Sequence, residues 1–155
     1  MTLVNFLIGL PVMLLCLILQ VAVAFWCVRY YLRRSAVVIS GRGFLVGTTP
    51  LIVVTVVMMV GNFVQIAVWG GLFLALGEFA HLYDAIYHSA VNFTSLGYGD
   101  VVMGRERKLL GPLEALNGVL MLGMTAAALM VILQHMITSF RDAAVGTERD
   151  SRARK

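Results

Sequence analysis

Charge is what this sequence has least of. Asp, Glu, Lys and Arg together make up 13% of its 155 residues, and none of them occurs in residues 1–28, 43–77 or 115–140. With 60% hydrophobic residues and a mean hydropathy of +0.89, the chain has too little polar surface to dissolve as a globule. That excludes the soluble classes and leaves an integral membrane protein. The two cysteines, Cys16 and Cys27, stand about 16 Å apart along a helix at 1.5 Å per residue, too far to pair within one element, and neither fits metal-ligand spacing. No apolar run carries arginine at every third position, which excludes a voltage sensor of the charged-helix kind. Gly-rich phosphate loops, CxxC pairs and nucleophile arrangements are lacking too, so nothing points to an enzyme or to a resident cofactor. The net charge of +4 and a pI near 9.4 would suit nucleic acid. The basic residues, however, lie at the ends of the apolar runs, where the positive-inside rule places them, and no nucleic-acid partner is expected.

What is present falls into apolar runs. Residues 1–28 are followed by Arg29, Arg33 and Arg34, a span with its basic end at its C-terminus; a signal peptide would carry its charge before a shorter core, so this segment is expected to be retained. Pro11 either kinks or opens the helix, and residues 11–32 alone suffice to cross, since about 20 residues span a bilayer. Gln20 is the only strongly polar group in the middle of this run and is read as a partner for a neighbouring helix. Residues 29–43, with four arginines and no acid, form a basic loop.

A second helix is expected from Thr49 as N-cap and Pro50 as first helical residue, leaving about 26 residues to cross. Asn62 and Gln65, three apart, share one of its faces and are read as helix-to-helix glue. Glu78 to Asp84 is an outer turn. The following uncharged stretch, 85–99, is about 15 residues long, too short to span and of the right length to re-enter. Asp84 is expected to cap a short helix that ends near Phe93. After a loop of mixed sign with Arg105, Glu106, Arg107 and Lys108, the run Gly111-Pro112-Leu113-Glu114 reads as the start of a third span. There Pro112 takes the first position and Glu114 serves the helix dipole. Gly118, Gly123, Thr125, Ala126, Ala127 and Ala128 are small enough to allow close helix approach. The tail, 141–155, has five basic and three acidic residues and no apolar periodicity, so no sensor domain is expected there.

The stretch that organises the rest is Thr94-Ser95-Leu96-Gly97-Tyr98-Gly99-Asp100. Turning consecutive carbonyls to one side needs positive φ at alternate residues, which Gly97 and Gly99 adopt at no steric cost. Irregular backbone survives between spans only where protein buries it or water reaches it, which suggests a pore. TSLGYGD resembles the selectivity filter of potassium channels. The likeness extends over residues 79 to about 135, with Tyr83 to Ser89 similar to that family's pore helix and Gly118 to Leu133 to its inner helix.

The resemblance implies a tetramer in which the carbonyls of Ser95, Leu96, Gly97 and Tyr98, with the Ser95 hydroxyl below and Gly99 above, hold potassium. It also implies Asp100 at the pore mouth, Thr94, Tyr87 and His88 as filter supports, and Gly123 as a gating hinge. Ser95 stands for the commoner threonine, Leu96 for valine and Asn92 for a frequent threonine. Tyr87 and His88 occupy places that are often tryptophan. His88, like His81 and His135, has no partner at ligand spacing and is otherwise read as a hydrogen-bonded packing residue.

The expected fold is therefore an all-α membrane protein. Three transmembrane helices are expected, with a re-entrant pore helix and filter between the second and third, assembling as a homotetramer. Its parts are an N-terminal span (1–34), a basic cytoplasmic connection (35–43), a pore domain (44–140) and a cytoplasmic tail (141–155). The expected function is passive, potassium-selective conduction. The alternatives are a weakly selective monovalent cation channel, and a non-conducting accessory subunit of a larger channel. The expected location is the cell's inner, or plasma, membrane. Basic residues number four in the loop after the first span and five in the tail, against three in the outer loops, so the N-terminus should face outside and the C-terminus the cytoplasm. A reporter fused after Lys155 should be active only on the cytoplasmic side; activity on the external side alone would reverse this orientation.

Overall fold

The computed structural model describes residues 2–40 and 44–153, with side chains for 2–34 and 48–141. It is all helical in these residues: α1 (Thr2–Ser40), α2 (Phe44–Ala75), α3 (Leu82–Phe93) and α4 (Leu110–Ala153). Three of the helices are long and apolar enough to cross a membrane, over Thr2–Arg34, Thr48–Ala75 and Leu110–Arg141. Only 17%, 28% and 22% of their most apolar windows are buried within the chain, so most of that surface is left for lipid or for other subunits.

Several helix limits differ from the expectations. The basic segment after the first span is helical as far as it is described: α1 continues through Arg29, Arg33 and Arg34 to Ser40, and positions 41–43 of the expected loop lie outside the described residues. Arginine is a good helix former, and no Gly or Pro interrupts the run before Gly41. Pro11 lies inside α1. Likewise α2 begins at Phe44, so that Pro50 sits within it rather than opening it. A proline costs its helix one N–H bond, and in a bilayer neighbouring helices and local adjustment tolerate that loss. The cap of α3 is His81, without a side-chain cap bond, and Asp84 lies in the first turn. Its carboxylate therefore favours the positive helix end but does not cap it. Helix α4 starts at Leu110, with Pro112 in its first turn, and carries on through the polar tail to Ala153; no proline stops it, and alanine, arginine and glutamate are good helix formers.

Packing sets the helices in one order. Toward the end that carries the loops on either side of α3, Trp69 and Phe73 of α2 pack with Ala85 of α3, Leu110 and Leu113 of α4, and Cys16 of α1. At mid-length Ile66, Phe93 and Met121 meet. At the other end Cys27 and Tyr31 of α1 join Val54, Met58 and Ile132. The loops on either side of α3 are tied by Glu78, whose Oε2 accepts from Gly104 N at 2.7 Å and whose Oε1 pairs with Arg107 at 3.2 Å. Arg107 also donates to the Leu76 carbonyl. From α1, Asn5 Nδ2 donates to the Glu106 carbonyl at 2.8 Å, which brings the N-terminus to the same end.

Two glycines let α3 sit against its neighbours. A Cβ on Gly70 of α2 would lie 3.1 Å from Ile86 Cα, and one on Gly118 of α4 would lie 2.0 Å from the Phe93 carbonyl oxygen. Both contacts are with backbone, which cannot swing aside, and the second is far the closer. Gly118→Ala is expected to cost at least the upper end of the about 1–3 kcal/mol of ordinary overpacking. Gly123→Ala, where an added Cβ meets nothing within 4 Å, should be neutral or slightly stabilising. Thermal unfolding of the two variants in detergent measures the difference, and equal melting temperatures would contradict the contact.

Candidate functional site

Helix α3 ends where its last turn finds side-chain and turn partners. Thr94 Oγ1 donates to Ala90 O at 2.7 Å, and the N–H groups of Ser95 and Leu96 return to Asn92 O at 2.8 Å and Val91 O at 2.9 Å. From there the chain leaves the helix with left-handed φ at every second residue: Ser95 +59°, Gly97 +61° and Gly99 +73°. The glycines take this conformation freely, whereas Ser95 pays a steric penalty as an L-residue. Its position was not legible, because serine carries no sequence signal for positive φ. Residues 94–100 are all exposed in the single chain, Leu96 at 56% and Tyr98 at 67%.

Behind this strand stands a hydrogen-bonded brace. Tyr87 Oη donates to Asp100 Oδ2 at 2.7 Å, and Val101 N donates to Asp100 Oδ1 at 3.0 Å. The Tyr87 bond holds the Asp100 carboxyl below its ordinary 3.8, and the same bond raises the Tyr87 phenol. Asp100 is therefore anionic throughout the neutral range and loses its charge only in stronger acid than usual. His88 Nδ1 lies 2.7 Å from the Val101 carbonyl. A carbonyl only accepts, so Nδ1 carries the hydrogen, which leaves Nε2 to accept from Asn92 Nδ2 at 2.8 Å. The ring packs on Phe73 and Phe79. Within the chain Tyr87 and His88 thus brace residues 100 and 101 rather than the Tyr98 ring. A cavity of about 360 Å³ lies against Gly97 and Gly99, bordered by His88, Asn92, Lys108 and Pro112.

One more polar contact joins α3 to α4. Ser89 is fully buried, its Oγ 2.8 Å from the Ile66 carbonyl and hydrogen-bonded with the Glu114 carboxyl. The hydroxyl has one hydrogen and the carbonyl can only accept, so the second hydrogen sits on Glu114. No ion pair reaches Glu114 among the described residues, and its Oε2 has no partner, surroundings that suit a neutral acid far better than a buried anion. The expectation that Glu114 merely serves the helix dipole is corrected. Glu114 lies beyond the first turn of α4 and against α3, and an ionisable residue inside a span is by default a candidate for function. That signal was available in the sequence. Its partner, Ser89, was not.

The matched region decides the family. A family model described as ion channel matches residues 53–135, more than half of the chain, and takes in α3, the Thr94–Asp100 strand and most of α2 and α4. The chain belongs to the ion channel family. It is of the small, potassium-channel-like kind with two spans and a pore loop, whose activity is ion permeation through an oligomer in lipid. No curated protein and no solved structure matches this ion channel at a significant level. Of the residues read from the sequence, the structure brings Tyr87, His88, Asp100 and the Ser95–Gly99 strand together at one end of α3. Gly123 lies apart, inside an unbroken α4 and with open space beside it.

For Glu114, the neutral-acid arrangement gives a clear expectation. Glu114→Gln keeps a donor for Ser89 and should leave assembly and current near those of the unaltered channel, whereas Glu114→Ala leaves the buried Ser89 hydroxyl only its bond to the Ile66 carbonyl and removes the hydrogen bond that joins α4 to α3, at about 1–3 kcal/mol. Melting temperature and ion flux of the two purified variants check this; a channel disabled by Glu114→Gln would show that the charge itself is required.

Proposed function

We propose that four copies of this chain assemble around one axis into a potassium-selective channel. Residues 94–100 are its filter, α3 is a re-entrant pore helix, and α4 lines the conduction path below. The observation that carries this reading is the alternation of left-handed φ at Ser95, Gly97 and Gly99 in an exposed TSLGYGD strand within the ion channel match. Alternation aligns successive carbonyls, and one strand alone encloses nothing, so the exposed Leu96 and Tyr98 call for further copies to complete a pore.

In that assembly the carbonyls of Ser95, Leu96, Gly97 and Tyr98, with the Ser95 hydroxyl, replace the water around potassium. Asp100, held anionic by Tyr87, rings the outer mouth and raises the local cation concentration. Thr94, Tyr87 and His88 hold the strand's two ends. Helix α3 points its negative carbonyl end toward the membrane centre, which favours a cation there. Gly123 gives α4 a place to bend. The channel sits in the cell membrane with its N-terminus outside and its C-terminus in the cytoplasm.

Reconstitution of the purified chain in liposomes, with potassium and sodium gradients imposed in turn, tests the reading. Flux of potassium well above sodium is expected. Equal flux would favour a weakly selective cation channel, and none would favour an accessory subunit. Gly99→Ala should abolish selective flux, since a Cβ at positive φ costs about 1–2 kcal/mol in each chain, and selectivity retained in that variant would remove the filter from this strand.

A further inference from the structure

The ion channel match begins at residue 53 and leaves α1 outside it, yet α1 places a fully buried side chain against the matched helices. Gln20 Nε2 donates to Thr125 Oγ1 at 2.8 Å and to the Met121 carbonyl at 3.3 Å. Its Oε1 accepts from Gln65 Nε2 of α2 at 2.7 Å. Asn62, also of α2, donates to Thr125 Oγ1 at 3.2 Å. The Thr125 hydroxyl in turn gives its single hydrogen to Met121 O at 3.0 Å. It donates once and accepts twice, which is its full capacity. Three helices therefore meet at one hydroxyl, midway along the spans, where no water competes for the bonds.

The place of this junction on α4 is what gives it meaning. Met121 and Thr125 lie two residues to either side of Gly123, whose own surface is unpacked. At this level α4 is held to α1 and α2 by hydrogen bonds at Met121 and Thr125, not by contact at the glycine. A bend or rotation of α4 that moves Thr125 by about 1 Å takes its hydroxyl out of hydrogen-bonding range of Gln20.

We infer that Gln20 is a positioning residue for α4, through which the first helix sets the open–closed equilibrium of the channel. The inference rests on the reading of α4 as the moving wall of the pore. The first span is then a gating element: the bonds from Gln20 and Asn62 stabilise the α4 position seen here against any other, and loss of either partner releases it. Interhelical hydrogen bonds of this type in membranes are worth a roughly three- to twentyfold shift in a two-state equilibrium.

Single-channel recording of the full chain in bilayers tests this with Gln20→Leu, Thr125→Val, the double variant, and Thr125→Ser as the conservative control. Each of the first two should shift the ratio of open to closed time by about three- to twentyfold, with conductance and reversal potential unchanged. The double variant should shift it by less than the product of the two single changes, because both remove the Gln20–Thr125 bond. Thr125→Ser, which keeps the hydroxyl, should gate as the unaltered channel does. An unshifted ratio in Gln20→Leu, or single effects that multiply in the double variant, would overturn the inference. If Gln20→Leu fails to assemble, the comparison of Thr125→Val with Thr125→Ser, which leaves α1 intact, decides alone: equal gating of the two overturns the inference. A silent unaltered chain would instead sink the channel reading itself, whereas a conducting chain with unshifted variants sinks only the role of Gln20.

Discussion

A bilayer core offers no water to a peptide group, and each unpaired N–H or C=O left there costs several kcal/mol. Almost everything in this chain follows from that constraint. The described residues within and between the spans are helical wherever they can be, including the stretches around Pro11 and Pro50. The polar tail, too, continues the helix it leaves. Under the proposed re-entrant placement of α3, the exception at depth is the strand from Ser95 to Gly99, whose backbone leaves helical geometry at the end of α3. Irregular backbone at that place needs either protein or water against it, and in one isolated chain it has neither on its exposed side. In that proposed placement the strand's open side calls for further copies of the chain, by the same physics that makes the rest of the molecule helical.

Because apolar contact alone gives helices in lipid little reason to prefer one register, the polar side chains within the spans act as joints. They fall into two groups. Glu114, Ser89 and the Ile66 carbonyl tie α4, α3 and α2 together near the start of the Ser95–Gly99 strand. Gln20, Gln65, Asn62 and Thr125 tie α1, α2 and α4 lower down. The first junction fixes α3, and with it the start of the strand. The second fixes α4 on either side of Gly123. Between them Gly118 lets α4 touch the end of α3 through backbone, so the small-residue pattern in this helix has two distinct parts: one glycine required for contact and one left free.

Much of this was legible in the residues themselves. Three apolar runs of sufficient length, the short uncharged stretch between the second and third, and paired glycines around Tyr98 determine an all-helical membrane chain. They also place the irregular segment that follows α3, because length and hydropathy alone decide what can cross a bilayer. The end of α3 near Phe93 was read correctly, since the paired glycines beyond it favour a left-handed turn of the backbone.

The partners of the polar residues, by contrast, were decided only by tertiary structure. Gln20 and Thr125 are 105 residues apart, and Ser89 and Glu114 are 25 apart. No periodicity within a single helix encodes which neighbour a side chain will face, since that depends on the rotation and depth of three helices at once. Tyr87 and His88 bond to Asp100 and Val101 rather than to the Tyr98 ring because α3 ends facing the strand's exit. The reach of α1 to Ser40 was missed for a different reason: charge marks where a span leaves the bilayer, but a helix needs no bilayer to go on, and nothing before Gly41 breaks it. Sequence determined where the membrane lies along this chain, and only the packed helices determined which of its few polar groups hold one another.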